Sequence, residues 1–386
     1  MKIFLIGFGQ GGGKIVDLFL EYDKKSRHNC IIRAIAINTA KSDLLGLNTI
    51  PMEDRILIGE SAVNVKGHGV GADNEMGARV AAEEIYTIQS AIDRRGTHEV
   101  DAFLIVAGLG GGTGSGGAPV LARRLKKLYS EPVYGLGVLP AKDEGGLYSL
   151  NAARSLMTFV KEVDNLFIFD NDPWKKEGSN LEDAYAFMNE EIVRRFGILF
   201  GAGESEDVGQ VVVDSSEIIN TLRGGGISTV GYAVEEVGNT SSKGLFKRLK
   251  KEKSSLDSLD TTTKITSLTR RAVMGRLTLP CDITSAERAL LVIAGPHDAL
   301  NKKGIEKSKL WIEEMIHGTE VRGGDYPVPR SNYVAAVAVF SGVTDVPRIK
   351  QLQEMATEAQ KNIQEFDETK NEKHKSLWHD DLKPLF

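Results

Sequence analysis

The sequence predicts an α/β fold: a Rossmann-like parallel sheet joined by a long central helix to a smaller α+β domain. Three observations carry this. Up to Asp170, short apolar runs of buried-strand length alternate with apolar residues at helical spacing. Several of those runs end in loops rich in glycine, asparagine or acid, and in an open parallel sheet such loops gather at one edge, where ligands bind. From Leu181 to about Leu199, the residues Leu181, Ala184, Tyr185, Met188, Ile192, Phe196 and Leu199 mark one apolar stripe, and beyond it the pattern turns mixed.

A chain of 386 residues is long enough for two domains with ample core. Its net charge of −5, from 53 acidic against 48 basic residues, points to neither nucleic acid nor an anionic membrane as main partner. Nor is it the surface of a protein adapted to molar salt. Cys30 and Cys281 are the only cysteines, too few for a disulfide framework, and the seven histidines do not cluster, so no metal held by side chains is expected. The apolar run Ile3 to Ile6 is too short for a signal peptide, and no stretch approaches the roughly eighteen apolar residues of a membrane span. A soluble, cytoplasmic protein is expected.

Ile3 to Ile6 is a first buried strand, followed by Gly7-Phe8-Gly9-Gln10-Gly11-Gly12-Gly13-Lys14 and an amphipathic helix through Ile15, Val16, Leu18, Phe19 and Leu20. Gly7, Gly9 and Gly12 satisfy G-x-G-x-x-G in the strand–turn–helix setting of a dinucleotide site. A nicotinamide-dependent oxidoreductase would then end its second strand on an acid. The run Ile31 to Ile37 ends instead in Asn38-Thr39-Ala40, which counts against that reading. A further glycine-spaced loop, Lys66 to Glu75, leads into a single helix from about Met76 to Ile92, with Asp73 or Asn74 as N-cap.

The strand Val100 to Ala107 leads into Gly108-Leu109-Gly110-Gly111-Gly112-Thr113-Gly114-Ser115-Gly116-Gly117, nearly devoid of side chains, and then a helix with Pro119 near its first turn. Such a loop turns several N–H groups inward and the helix adds the positive end of its dipole, so the arrangement suits phosphate. It is not a Walker A loop, because Lys126 and Lys127 lie too far down the helix to reach a phosphate.

Val133 to Leu139 is another strand, followed by Pro140 to Gly146 and a helix to about Val163; Asn165 to Phe169 then gives a strand ending at Asp170-Asn171-Asp172-Pro173. After the central helix, Gly201 to Gly209 is a polar, glycine-rich domain junction. Strands near Ile227–Ala233, Ala289–Ala294 and Tyr333–Phe340, a lysine-rich solvated segment from Lys243 to Lys253, and a helix around Ile305 to Ile316 make up the mixed half. From Ile349 the apolar spacing gives a helix packed on one face, or a partner surface, and Thr369 to Phe386 is a polar tail, either disordered or a docking peptide.

Asp214 and Glu217 share one face of a helical turn, a spacing that suits orienting a water for hydrolysis. Spacing by itself favours a capping box, with Asp214 as N-cap and Glu217 at the third position.

The run GGGTGSG at Gly110 to Gly116 resembles the signature loop of the tubulin/FtsZ superfamily of GTPases, and the resemblance covers most of the chain to about Ser341. It implies GTP or GDP as ligand, with magnesium accompanying GTP. It implies phosphate contacts from Gln10, Gly11, Gly12, Gly13 and Lys14, from Gly110, Gly111, Gly112, Thr113 and Gly114, and from Gly71, Ala72 and Asp73 near the terminal phosphate. Asn38 matches the loop after the second strand, Glu144 the acid that holds the ribose, and Asn171 the asparagine that meets guanine. Tyr185 resembles the aromatic residue stacked on the base, and Asn189 the residue that reads its edge, an amide as in tubulin rather than the aspartate usual in FtsZ. Asp214 and Glu217 match the two catalytic acids, which in this superfamily complete the site of the next subunit in a head-to-tail filament. Cap and catalyst can coexist.

Domains follow from the same resemblance: a GTP-binding domain over 1–180, a central helix over 181–200, an α+β domain with the catalytic loop over 201–345, and a C-terminal helix and tail over 346–386. The stretches Ile6 to Gln10, Lys66 to Glu75, Asp164-Asn165-Leu166, Asp170-Asn171-Asp172 and Arg322 to Pro327 look most like CetZ, the archaeal tubulin-like family linked to cell shape. Val212 stands where FtsZ has asparagine, and Tyr148 where FtsZ usually has arginine. The expected partner is a second copy of the chain, with an adaptor at the tail as a further candidate. FtsZ-type division, a GTP-bound scaffold without hydrolysis and a nicotinamide enzyme are the alternatives.

Overall fold

The computed structural model describes residues 1–386 apart from 27–28, 63, 176–179, 203, 205–212, 238–253, 317–319 and 378–386. Most of the expected junction from Gly203 to Gly209, Val211 and Val212, the lysine-rich segment and the last nine residues of the tail therefore lie outside the described residues.

The chain opens with β1 (Ile3–Phe8), α1 (Gly9–Ser26), β2 (Ile31–Asn38), α2 (Lys41–Leu45), β3 (Arg55–Leu57), α3 (Asn74–Glu83) and α4 (Ile85–Arg95). It continues with β4 (Ala102–Gly108), α5 (Thr113–Leu128), β5 (Val133–Leu139), α6 (Gly146–Glu162), β6 (Asn165–Asp170) and α7 (Leu181–Gly201). Then come α8 (Ser215–Leu222), β7 (Ile227–Glu236), α9 (Ser254–Met274), β8 (Arg288–Gly295), α10 (Lys302–Met315), β9 (Glu320–Pro327), β10 (Tyr333–Ser341) and α11 (Pro347–Leu377).

Among the described residues, ten strands form one sheet in the order β3-β2-β1-β4-β5-β6-β7-β10-β8-β9. From β3 to β6 every pairing is parallel. A short parallel contact, Leu166 with Ile227 and Phe167 with Ser228, joins β6 to β7. β10 then pairs antiparallel with β7 and β8, and β9 closes the sheet parallel to β8. Alternation along β1 sends Phe4, Ile6 and Phe8 into the core under α3 to α6, and Ile3 and Leu5 into the core under α1 and α7.

Three expectations are corrected. The segment Met76 to Ile92 is two helices, because Glu84 leaves helical geometry (φ −102, ψ 19) while its carboxylate accepts the Gly59 N–H at 2.7 Å. α5 starts at Thr113, so Thr113 to Gly117 form its first turn and Pro119 sits inside the helix. Proline has no N–H to give the Ser115 carbonyl; the Ser155 hydroxyl donates to that carbonyl at 2.7 Å instead. Finally, α11 continues through Thr369 to Leu377, where a polar tail was expected.

Candidate nucleotide-binding site

In the parallel part of the sheet, the loops that follow β1, β2, β4, β5 and β6 share the carboxyl edge of the strands. α5 and α6 begin there on Gly112 and Gly145 without a side-chain cap, whereas Asp73, Asn180, Asp214 and Asn301 cap α3, α7, α8 and α10. An uncapped N-terminus keeps its N–H groups for a ligand.

Two kinds of glycine stand out at this edge. A Cβ on Gly12 would lie 2.1 Å from the Val106 carbonyl oxygen, on Gly116 2.1 Å from that of Asn74, and on Gly117 2.2 Å from the Phe8 ring. These three let helices sit against their neighbours. A Cβ on Gly71, Gly108, Gly111 or Gly145 would meet nothing within 4 Å, so these face the open edge. Gly9 (φ +75) and Gly71 (φ +57) also need the left-handed backbone that glycine permits.

The glycine-rich loops at this edge are tied together by side chains. Asn151 of α6, buried, donates to the Ala72 carbonyl at 2.7 Å and the Gly110 carbonyl at 3.0 Å. The Thr113 and Thr39 hydroxyls lie 2.7 Å apart. Asn38 accepts the Thr39 N–H at 2.8 Å and donates to Asp43 at 3.0 Å, and Gln10 donates to the same carboxylate at 3.2 Å. Asp73 caps α3 by accepting the Met76 N–H at 2.9 Å. Gly13 is buried, while Lys14 is exposed on α1.

On the other flank, Glu144 accepts the Ala141 N–H at 2.6 Å, and its carboxylate lies beside Tyr185. Burial, helped by that carboxylate, raises the Tyr185 phenol above its ordinary range. Asn189 follows one turn later on α7, half-buried, and Asn171 is buried at the end of β6.

Asp214 and Glu217 are elsewhere. Ser215, the first residue of α8, donates to Asp101 at 2.9 Å, and Asp101 also accepts the Lys2 N–H at 2.8 Å. Both partners sit just before β4 and β1, at the amino edge of the sheet. Strands of six or seven residues separate the two edges, which at about 3.3 Å per residue is roughly 20 Å. The end of α7 is there too: the Met1 amino group donates to the Phe200 carbonyl and pairs with Glu204, both at 2.7 Å. Asp214 caps α8 by accepting the Glu217 N–H at 3.1 Å, and the Ser216 hydroxyl holds its carboxyl below the usual range. The Glu217 side chain does not complete a capping box; it pairs with Arg322 at 3.2 Å.

Residues 2–178 match the family described as Tubulin/FtsZ family, GTPase domain, and 178–358 match Tubulin-like CetZ, C-terminal domain. The chain is 60% identical to the tubulin-like protein CetZ1 of Haloferax volcanii, over 95% of this chain and 94% of that protein. It belongs to the CetZ family. Among solved structures, CetZ1 of Haloferax volcanii as a GDP-bound monomer matches with a TM-score of 0.84 and 59% identity, covering 93% of this chain and all of that one. CetZ2 of the same organism, solved as a GTPγS-bound protofilament, matches with a TM-score of 0.83 and 41% identity, covering 94% of this chain and all of that one. CetZ membership sets aside the nicotinamide reading. Reasoning from sequence did not single out Asn151, Asp43 or Arg322; for Asn151 the spacing gives no signal, since its neighbours one turn away on α6 are Leu147, Tyr148, Arg154 and Ser155.

Proposed function

We propose that this CetZ protein binds GTP at the carboxyl edge of its sheet and assembles head to tail. Each subunit then brings Asp214 and Glu217 to the nucleotide of its neighbour. The carrying observation is the separation of the two sets of residues by the full length of the strands. No side-chain motion spans that distance within one subunit, whereas stacking the amino edge of one copy on the carboxyl edge of another brings them together. Support comes from a relative, CetZ2, solved as a GTPγS-bound protofilament.

In this reading the backbone of Gln10 to Gly13 and of Gly110 to Gly114 holds the phosphates, Glu144 the ribose, and Asn171, Tyr185 and Asn189 the guanine. The loops 9–13 and 108–114 contain no basic side chain, so a magnesium ion bound with GTP would supply the counter-charge to the triphosphate. The Asp43 carboxylate and the Gln10 amide, next to that loop, are the hard oxygen donors it favours. Asp214 and Glu217 orient the attacking water and accept its proton. The cellular role implied by the family is control of cell shape, in the cytoplasm.

The test is GTP turnover per molecule as protein concentration is raised with magnesium present. Turnover that climbs above a threshold concentration supports a site completed between subunits. Turnover independent of concentration overturns it. Bound GTP with no turnover at any concentration would leave a scaffold, a reading favoured by the capping role of Asp214.

A further inference from the structure

We infer that Arg348, in the first turn of α11, is a positioning residue for the guanosine half of the site, coupling the docking of the C-terminal helix to guanine-nucleotide affinity. This rests on the guanine-nucleotide reading above and deepens it.

Arg348 donates from Nε to Asp170 at 3.1 Å and from Nη2 to the Pro140 carbonyl at 2.8 Å. Leu139 and Asp170 are register partners at the ends of β5 and β6. One guanidinium therefore spans the starting points of two neighbouring loops, one carrying Glu144 and the other Asn171. Asp170 also shapes its own loop, since its carboxylate accepts the Asp172 N–H at 3.3 Å. Asp172 in turn accepts the Lys142 N–H at 3.0 Å, closing a chain of contacts from Arg348 through both loops.

Both side chains of the pair are nearly inaccessible, at 4% and 2% exposure. Burial raises the Asp170 carboxyl above its usual range and Arg348 pulls against that rise. A buried carboxylate without its cation moves toward water or takes up a proton, and either change disturbs the turn that presents Asn171. A lysine keeps the charge but lacks the planar fork that reaches two acceptors at once. Farther along, Ala359 packs on Gly146, where an added Cβ would come within 2.9 Å. Gln360 and Ile363 line a groove of about 360 Å³ with Gly71 to Glu75. α11 thus lies against the loops on both flanks of the ligand, and by linkage whatever loosens the helix weakens the nucleotide, and the reverse.

The experiment uses the full chain below its assembly concentration and compares dissociation constants for GDP and ADP. Wild type should prefer GDP; if it binds no guanine nucleotide, the functional reading itself fails. With wild type selective, Arg348→Lys should weaken GDP by roughly tenfold and lower the GDP-to-ADP preference, which a general loss of stability would leave unchanged. A folded Arg348→Lys protein with the wild-type preference overturns the proposal. Hydrogen exchange on wild type gives an answer independent of that variant. GDP should slow exchange in the first turns of α11, and unchanged exchange there when GDP is bound also overturns the coupling.

Discussion

At the residue scale, glycine and aspartate each do one of two jobs that spacing does not separate. Gly116→Ala would place a methyl 2.1 Å from a backbone oxygen and 2.6 Å from the Ala78 nitrogen, neither of which can swing aside. A loss of roughly 3 kcal/mol is expected, read as a lower melting temperature. Gly111→Ala meets no atom within 4 Å, so it should melt like the parent while binding GDP more weakly. Asp214 can be divided in the same way. Asparagine caps a helix about as well as aspartate, so Asp214→Asn should keep stability and bound GTP while losing turnover. Asp214→Ala should lose about 1 kcal/mol as well. Turnover retained in Asp214→Asn would reduce the acid to a cap. The sign of its pH dependence follows from its lowered folded-state pKa. Its stabilising contribution is present above the unfolded value and fades as pH falls through the folded one, so the acid limb of a melting curve should flatten in Asp214→Asn.

At the element scale, α5 shows how a helix tolerates an internal proline. Its Ser115 carbonyl is served by Ser155 from α6 in place of the missing N–H. Ser155→Ala should cost about 1–3 kcal/mol by leaving that carbonyl buried and unpaired. Pro119→Ala restores an N–H at the matching helical position, so the double variant should recover most of the loss in denaturant melts; simple additivity of the two changes would refute the pairing. Regular elements with strong apolar period were legible from sequence. β5, α6 and the central helix stand within a residue or two of their expected ends. α9 was not, because Ser-Ser-Leu-Asp-Ser-Leu-Asp-Thr-Thr-Thr has poor intrinsic helix propensity. Its later turns are held by packing, with Ile265, Leu268, Ala272 and Val273 buried. β9 was missed for a related reason. Gly323 and Gly324 break a strand pattern, yet a Cβ on Gly323 would sit 2.3 Å from the Leu291 carbonyl oxygen, so the gap is filled by a neighbouring strand.

At the scale of the whole molecule, the proposed assembly makes the two edges of the sheet two halves of one reaction centre. A subunit carrying Glu217→Gln and one whose nucleotide loop is blocked by Gly112→Val should each fail to turn over GTP. In Gly112→Val the added Cβ would lie 2.6 Å from Val70 and 2.8 Å from the Asp73 nitrogen. Mixed, they should regain turnover, because an intact nucleotide loop of the first can meet intact acids of the second. A mixture as inactive as its parts would exclude completion between subunits.

Sequence by itself determined the glycine-rich loops between strand and helix, the central helix and the shared face of Asp214 and Glu217, because each is local: a glycine run, a period of 3.6, a spacing of three. Tertiary structure decided which glycines face the open edge of the sheet and which only admit a neighbouring element, since that depends on atoms from distant segments such as Val106 and Asn74. It also decided that Glu217 pairs with Arg322 and that Arg348 spans two loops more than 170 residues away. Contacts of that kind are made by the sheet order, which brings together ends of strands that the chain keeps far apart.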